Sequence, residues 1–395
     1  MKNIFKYASL LAAAVMLISC GGQGQGGQTG NKTLEITADK TFVQTFGGDY
    51  ATLTVTLDGE PVSEGVTFYN ANDKDKFIEI VDGKFAPTAT GEYSIWANYG
   101  TYNSDPVVIR AVDVEVPATP ADPRPSSTSF KTRVLLTEFT TTGCGFCPKM
   151  KELLHNTFAD ASVADKVVEV ACHSSLVNSV SDPAYIKTTY EDFARITGMP
   201  YVFCDMYDGT IQWNWEKSAV SSLIDKMVAV KGDGTGIAVN STIKDNMLVA
   251  KVTIKPSVTN NYRIGAFLLE DGIYGKQSSA TADWMHTHNN VIRYIDASFR
   301  SNGSEYYYGH SVGEVEAGKT ADFVFVWDLD KIWADGNKFA DMYGNSNWDA
   351  FVMENLHMAV FVTTIGEDYK GNETYYVNNV IDCRNLNGQT PFEYK

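Results

Sequence analysis

Two cysteines separated by two residues, Cys144-Gly145-Phe146-Cys147, stand between a buried-type strand and the first turn of a helix. That placement limits what the middle of this chain can be. Arg133 to Phe139 is apolar enough for a buried strand. Pro148 follows the second cysteine, where a missing N–H costs a helix little, and Met150, Leu153, Leu154 and Phe158 then recur at helical spacing. A helix N-terminus offers unpaired N–H groups and a partial positive charge, both of which stabilise a thiolate. Cys144 is therefore the candidate nucleophile for disulfide exchange, and Cys147, one turn along, the thiol that closes the ring. Half of a zinc site is the competing assignment for a lone CxxC. No second CxxC and no histidine pair at ligand spacing completes one, so neither metal nor cofactor is expected.

At 395 residues the chain suggests two or three domains, and 44% hydrophobic with 20% charged residues is ordinary for a folded protein. The formal charge of -16 leaves no basic cluster to neutralise phosphates, which excludes a nucleic-acid partner. Lys2 and Lys6 precede an apolar run, Tyr7 to Ile18, too short to span a bilayer comfortably. Leu17-Ile18-Ser19-Cys20 then resembles the bacterial lipobox. The resemblance implies that residues 1–19 are a lipoprotein signal peptide and that Cys20 is acylated. A plain secretory signal with an incidental cysteine is the alternative. No later stretch is apolar enough for a membrane helix, so membrane attachment is expected through the N-terminal lipid alone.

Residues 20–31, rich in Gly and Gln, are predicted to be a flexible tether. Residues 32–113 read as a small β-sandwich. Leu53, Val55 and Leu57 alternate strictly, and turn signals stand at Asp58-Gly59, Asp82-Gly83 and Thr90-Gly91. Phe85 to Tyr93 resembles the late-strand segment of bacterial immunoglobulin-like modules. Residues 114–129 carry four prolines and are predicted to be an extended, fairly stiff linker. Over 130–231 strands alternate with helices: a strand at Lys166–Cys172, a helix at Tyr190–Ile196, a strand at Tyr201–Cys204 and a helix at Trp215–Val230. Residues 232–395 return to β and are predicted to form a larger sandwich or jelly roll. The expected class is α+β multidomain.

Leu135 to Phe139 leading into Thr-Thr-Thr-Gly-Cys-Gly-Phe-Cys147 resembles the strand-loop-helix of the thioredoxin superfamily. Ile196-Thr-Gly-Met-Pro-Tyr-Val-Phe203 resembles that family's Gly-X-Pro segment. The resemblance implies four things: an acidic residue, here Glu138, able to accept the Cys147 proton; a cis Pro200; a Met199 backbone that holds an extended substrate; and packing of that segment against the cysteines. Glu138 as a solvated strand-end residue and Pro200 as an ordinary trans proline are the competing assignments. Gly143 and Phe146 replace the Trp before the pair and the Pro within it that are common in thioredoxins. The Cys-Gly-Phe-Cys run is nearer to that of periplasmic disulfide isomerases. The whole order, with Trp284 to Arg293 in the last region, resembles the Bacteroidetes lipoproteins named after outer membrane protein twenty-eight. That family implies an outer-membrane location, and the lack of an acidic run after Cys20 points to the periplasmic side.

His286, His288 and His310 are expected to be surface or structural rather than metal ligands, and Asn289, Asn290 and Arg293 to satisfy backbone in a turn. Cys172, Cys204 and Cys383 read as buried small hydrophobes. The leading expectation is a thiol–disulfide oxidoreductase or isomerase acting on protein thiols and disulfides of exported clients. The alternative is a non-enzymatic envelope or surface protein that uses the same fold as a scaffold. A cysteine pair covered by the C-terminal region favours the scaffold.

Overall fold

A computed structural model describes residues 32–174, 181–207, 211–301, 304–342, 348–367 and 373–395. Cys20 lies outside the described residues. The molecule is β-rich, with several sheets and more than one domain.

Residues 34–112 form two sheets face to face. One holds Leu34–Ala38, Ala51–Leu57, Glu60–Pro61 and Lys84–Phe85, and the other is built on Gly91–Tyr99 and Val107–Val112. The alternation in Ala51–Leu57 places Ala51, Leu53 and Val55 in the core, where they meet Ile95, Ala97 and Ile109. Leu57 pairs with Glu60 across Asp58-Gly59, and both loop residues have positive φ, 53° and 83°. Asp-Gly suits such a two-residue turn because its twist matches that of the strands it joins.

In the middle region the strand Val134–Phe139 runs parallel to Val167–Cys172 and antiparallel to Tyr201–Cys204. Its residues alternate between two cores. Val134 and Leu136 face the helices Cys147–Phe158 and Lys217–Val230, while Leu135 and Phe139 face the rest of the molecule. The helix expected over 190–196 is shorter, Tyr190–Phe193, because Arg195 takes a left-handed conformation with φ 54°.

The boundary expected at 231/232 does not separate two sheets. Val167–Cys172 continues through the pairing of Ala171 with Val291 into Val291–Asp296, Asn260–Glu270, Leu356–Glu367 and Glu373–Cys383. The α/β region and the last region share one eight-stranded sheet, with His310–Val315 also paired to Asn260–Glu270. An open edge at Val167–Cys172 is thereby covered. A second layer of Ala321–Asp328, Met247–Pro256, Thr235–Lys244 and Gln389–Thr390 closes the sandwich. The helix Leu329–Met342, which was not anticipated, buries Leu329 and Ile332 against it.

The expected stiff linker is held along its length. Thr119 bonds Thr253, Asp122 pairs with Lys255 and accepts from Tyr394, and Arg124 donates to the Lys395 carbonyl. The N-terminal sandwich is also in contact, through Val112 and Val114 on Val249 and Val326.

Candidate functional site

Cys144 and Cys147 are joined by a disulfide with Cα atoms 5.5 Å apart. Cys147 opens the helix Cys147–Phe158, with Pro148 in its first turn, and its N–H donates to Cys144 Sγ at 3.1 Å. The helix start therefore delivers a hydrogen bond to the sulfur assigned as nucleophile. Gly145 and Phe146 are exposed, but Cys144 is only 5% exposed and Cys147 2%. Phe146 lies 5.8 Å from Trp213, and the Lys149 ammonium sits 4.5 Å from the Trp213 ring centre.

Two groups fix the loop ahead of Cys144. Asp182, wholly buried, accepts from Thr141 Oγ1 and from the Thr142 N–H, both at 2.9 Å, and lies 2.8 Å from His173 Nδ1. Burial alone would raise its pKa, but His173 and these hydrogen bonds hold it well below the usual carboxylate range. The second group comes from residues 275–288 of the last region, which lie across the loop as a strap. Gln277 Nε2 reaches the carbonyls of Thr141, Thr142 and Cys144 at 3.2, 3.2 and 2.9 Å, and Ser278 N–H donates to Thr142 at 2.7 Å. Gly275 allows this approach, since a Cβ there would stand 2.9 Å from Thr142 Cγ2 and 3.1 Å from Pro183. The pair is thus covered in part by the C-terminal region.

Behind the disulfide is a recess of about 550 Å³ lined by Cys147, Glu138, Lys151, Glu169, His173 and His288, among others. Glu138 is 5% exposed, and its Oε1 has no hydrogen-bond partner. Burial, reinforced by Glu169 and opposed by Lys151, pushes its pKa up to about 8. Lys151 lies one turn after Cys147. It donates to the carbonyls of Met285 and Thr287 in the strap, at 3.0 and 2.7 Å, rather than to either carboxyl. Its own pKa is lowered by burial.

The Met199–Pro200 bond is cis. Tyr201, the next residue, pairs with Phe139, so Pro200 and the loop carrying Cys144 leave the sheet at the same end. Met199 is half-buried against the main core. The Cys144 loop, Glu138 and Pro200 therefore lie toward one end of the central strand, with Met199 packed on the core that holds Leu135 and Phe139.

The histidines do not form one group. His286 accepts from the Gln277 N–H and His310 pairs with Asp296. His288 is buried in the recess, 4.9 Å from the His173 ring centre, where burial lowers its pKa to about 3. Asn289 accepts from the Gly272 N–H, and Asn290 takes φ 54°. Arg293 satisfies backbone as expected, donating to the Pro183 carbonyl at 3.1 Å, but from the strand Val291–Asp296 rather than a turn, and it is buried and ion-paired to Glu270 at 2.7 Å. Cys172, Cys204 and Cys383 are free and buried. Among the described residues no group of three or more His, Cys, Asp or Glu is placed to hold a metal, and no helix is long and apolar enough to cross a membrane.

Lys151, Glu169, Asp182 and Gln277 were not singled out from the sequence. Glu169 carried a signal: it is the only charge in Val167-Val-Glu-Val-Ala-Cys172, as Glu138 is in Val134–Phe139. Lys151 stands four residues from Cys147, on the same helix face. Gln277 carried none, since it lies 133 residues from Cys144.

No family model matches the chain, and no curated protein matches it. Among solved structures, HBP35 of Porphyromonas gingivalis is similar over 64% of this chain and 75% of its own, at 15% identity and a TM-score of 0.44.

Proposed function

We propose that this chain is a thiol–disulfide exchange protein of the bacterial envelope. A thioredoxin-like unit carries the Cys144–Cys147 couple, an immunoglobulin-like sandwich precedes it, and Cys20 anchors the protein by lipid to the outer membrane on its periplasmic side. The observation that carries the exchange chemistry is the buried Glu138 carboxyl, whose Oε1 has no hydrogen-bond partner, on the same recess as Cys147. A disulfide that only stapled the fold would gain nothing from it, and burying a polar group without a hydrogen bond is costly. A link across three residues also removes little chain entropy, since that contribution grows with loop length. In the oxidised form the neutral Glu138 is set to give a proton to the Cys147 sulfur when a reductant thiolate attacks Cys144. In the reverse direction the ionised carboxyl takes it back.

The clients are exported proteins with thiols or disulfides. Phe146 and Trp213, exposed beside the pair, offer apolar contact to them.

One observation supports the alternative, a non-enzymatic scaffold: Cys144 is only 5% exposed, with the strap bound to its carbonyl. Insulin reduction and refolding of scrambled ribonuclease separate the two. The protein lacking its first twenty residues is expected to be active in both assays and Cys144→Ser inactive. Equal activity of the two proteins removes the exchange function and leaves the scaffold.

A further inference from the structure

We infer that Glu169 is the outer half of a two-carboxyl proton path whose inner half is Glu138, so that the Cys147 proton leaves the protein through the recess. The inference rests on the exchange function proposed above and adds a residue to it.

The register of the sheet carries it. Leu136 stands opposite Glu169, and Glu138 opposite Ala171, in a parallel pair. Val134 and Leu136 face the Cys147 helix, so Glu138, two residues on, faces it too. Glu169 and Ala171 alternate with the core residues Val168, Val170 and Cys172 and share that face with Glu138. The two glutamates are therefore diagonal neighbours across adjacent strands. Their Cβ atoms stand roughly 8 Å apart, from the strand spacing and two residues of rise. Two carboxyl side chains and one water span that distance, and the recess has room for many waters, each needing roughly 30 Å³.

Exposure rises along the same line. Cys147 is 2% and Glu138 5% exposed, while Glu169 is half-buried. Glu169 also lines a second, outer cleft of about 340 Å³, so it belongs to both spaces. The groups facing it on the recess side are Glu138 from the central strand, Lys151 and His155 from the helix, His173 from the end of its own strand and His288 from the strap. On the cleft side they are Arg133, Asp382, Arg384 and Glu393. Lys151 acts on both carboxyls and repulsion from Glu169 acts on Glu138, which makes them one electrostatic unit.

The Cys144 thiolate attacks a client disulfide, forming one S–S bond and releasing one client thiolate. Cys147 S–H gives its proton to the Glu138 carboxylate, and the resulting thiolate attacks the Cys144 sulfur. That expels the second client thiolate and forms the Cys144–Cys147 bond. The proton passes from Glu138 to Glu169 and out to water. The dithiol is oxidised by two electrons and the client disulfide reduced by two.

The test follows the reduced protein mixed with excess oxidised glutathione, with acid quench and mass analysis separating mixed-disulfide formation from its resolution. Glu169→Gln is expected to leave the rate of formation unchanged, with a thermal unfolding midpoint close to that of the wild type showing that the variant is folded. Resolution is expected to slow by about 3- to 10-fold at pH 7.5, where burial-raised Glu169, at about 7, is largely ionised and can draw the proton outward, and less at pH 9.5 where hydroxide removes the proton directly. Glu169→Asp is expected to restore most of the loss. Resolution unchanged in Glu169→Gln, slowed equally at both pH values, or not rescued by Asp overturns the path. A wild-type protein that forms no mixed disulfide removes the exchange function itself, and the path with it.

Discussion

The strand Val134–Phe139 has a buried carboxyl at each end, and the two ends differ in how each charge is met. Beside its start, Asp205 accepts from the Leu135 N–H at 2.9 Å and lies 2.8 Å from the Lys231 ammonium, both side chains fully buried. At its other end Glu138 has Lys151 only at a distance, because the strap carbonyls take the lysine's hydrogen bonds. Burial raises both carboxyl pKa values, Asp205 to about 6 with a cation in contact and Glu138 to about 8 without one. Near neutral pH one end of the strand is ionic and the other uncharged. Contact pairing holds a fold together; distant pairing leaves a carboxyl free to exchange a proton.

The largest effect that distinguishes them is on stability. Lys231→Met strands the Asp205 charge in the core, and removing one partner of a buried pair costs about 3–5 kcal/mol. Urea unfolding at pH 7.5 measures it, and adding Asp205→Asn, which keeps an acceptor for the Leu135 N–H and tolerates the left-handed backbone of φ 48°, is expected to recover most of the loss. A loss under 1 kcal/mol for the single variant would mean that the pair does not hold the strand.

Glu138→Gln goes the other way. A carboxyl raised from 4.5 to about 8 keeps its proton in the folded state while the unfolded chain gives it up. Its favourable contribution is complete below pH 4.5 and is lost as pH rises to about 8. The glutamine variant lacks that slope. Wild type and variant are expected to unfold alike near pH 4.5, with the variant more stable by on the order of 3 kcal/mol at pH 7 and more still at pH 8.5. Parallel stability curves across that range would show that Glu138 titrates normally.

The same contrast explains what was legible beforehand. The strand, the CxxC, the helix start and the Gly-Met-Pro segment were readable because each is short and its chemistry is local. Glu138 was readable as the acid that the resemblance implies ahead of the cysteines, and Glu169 could have been read as the second lone acid in an apolar strand. The Asp205–Lys231 pair, 26 residues apart, and the Gln277 contacts, 133 apart, follow from packing, which no local pattern encodes. The merging of two expected domains into one sheet was hidden for the same reason, since it turns on Ala171 meeting Val291.

The smallest effect is on the strap and sharpens the comparison where chemistry is proposed. Gln277 stabilises the loop through carbonyls that a buried strap would otherwise leave unmet. Gln277→Ala is expected to cost about 1 kcal/mol of stability, the size of one or two net hydrogen bonds. The more telling readout is access. If the strap limits approach to Cys144, loosening it by that amount is expected to speed reduction of the disulfide by a bulky phosphine about fivefold. The same substitution should leave Cys172, Cys204 and Cys383 unreactive to maleimide, since they are buried in clusters to which residues 275–288 contribute no side chain. A lowered stability with an unchanged reduction rate would show that the strap braces the loop without guarding it. Substrate approach would then be governed by the exposed side of the pair, at Gly145 and Phe146.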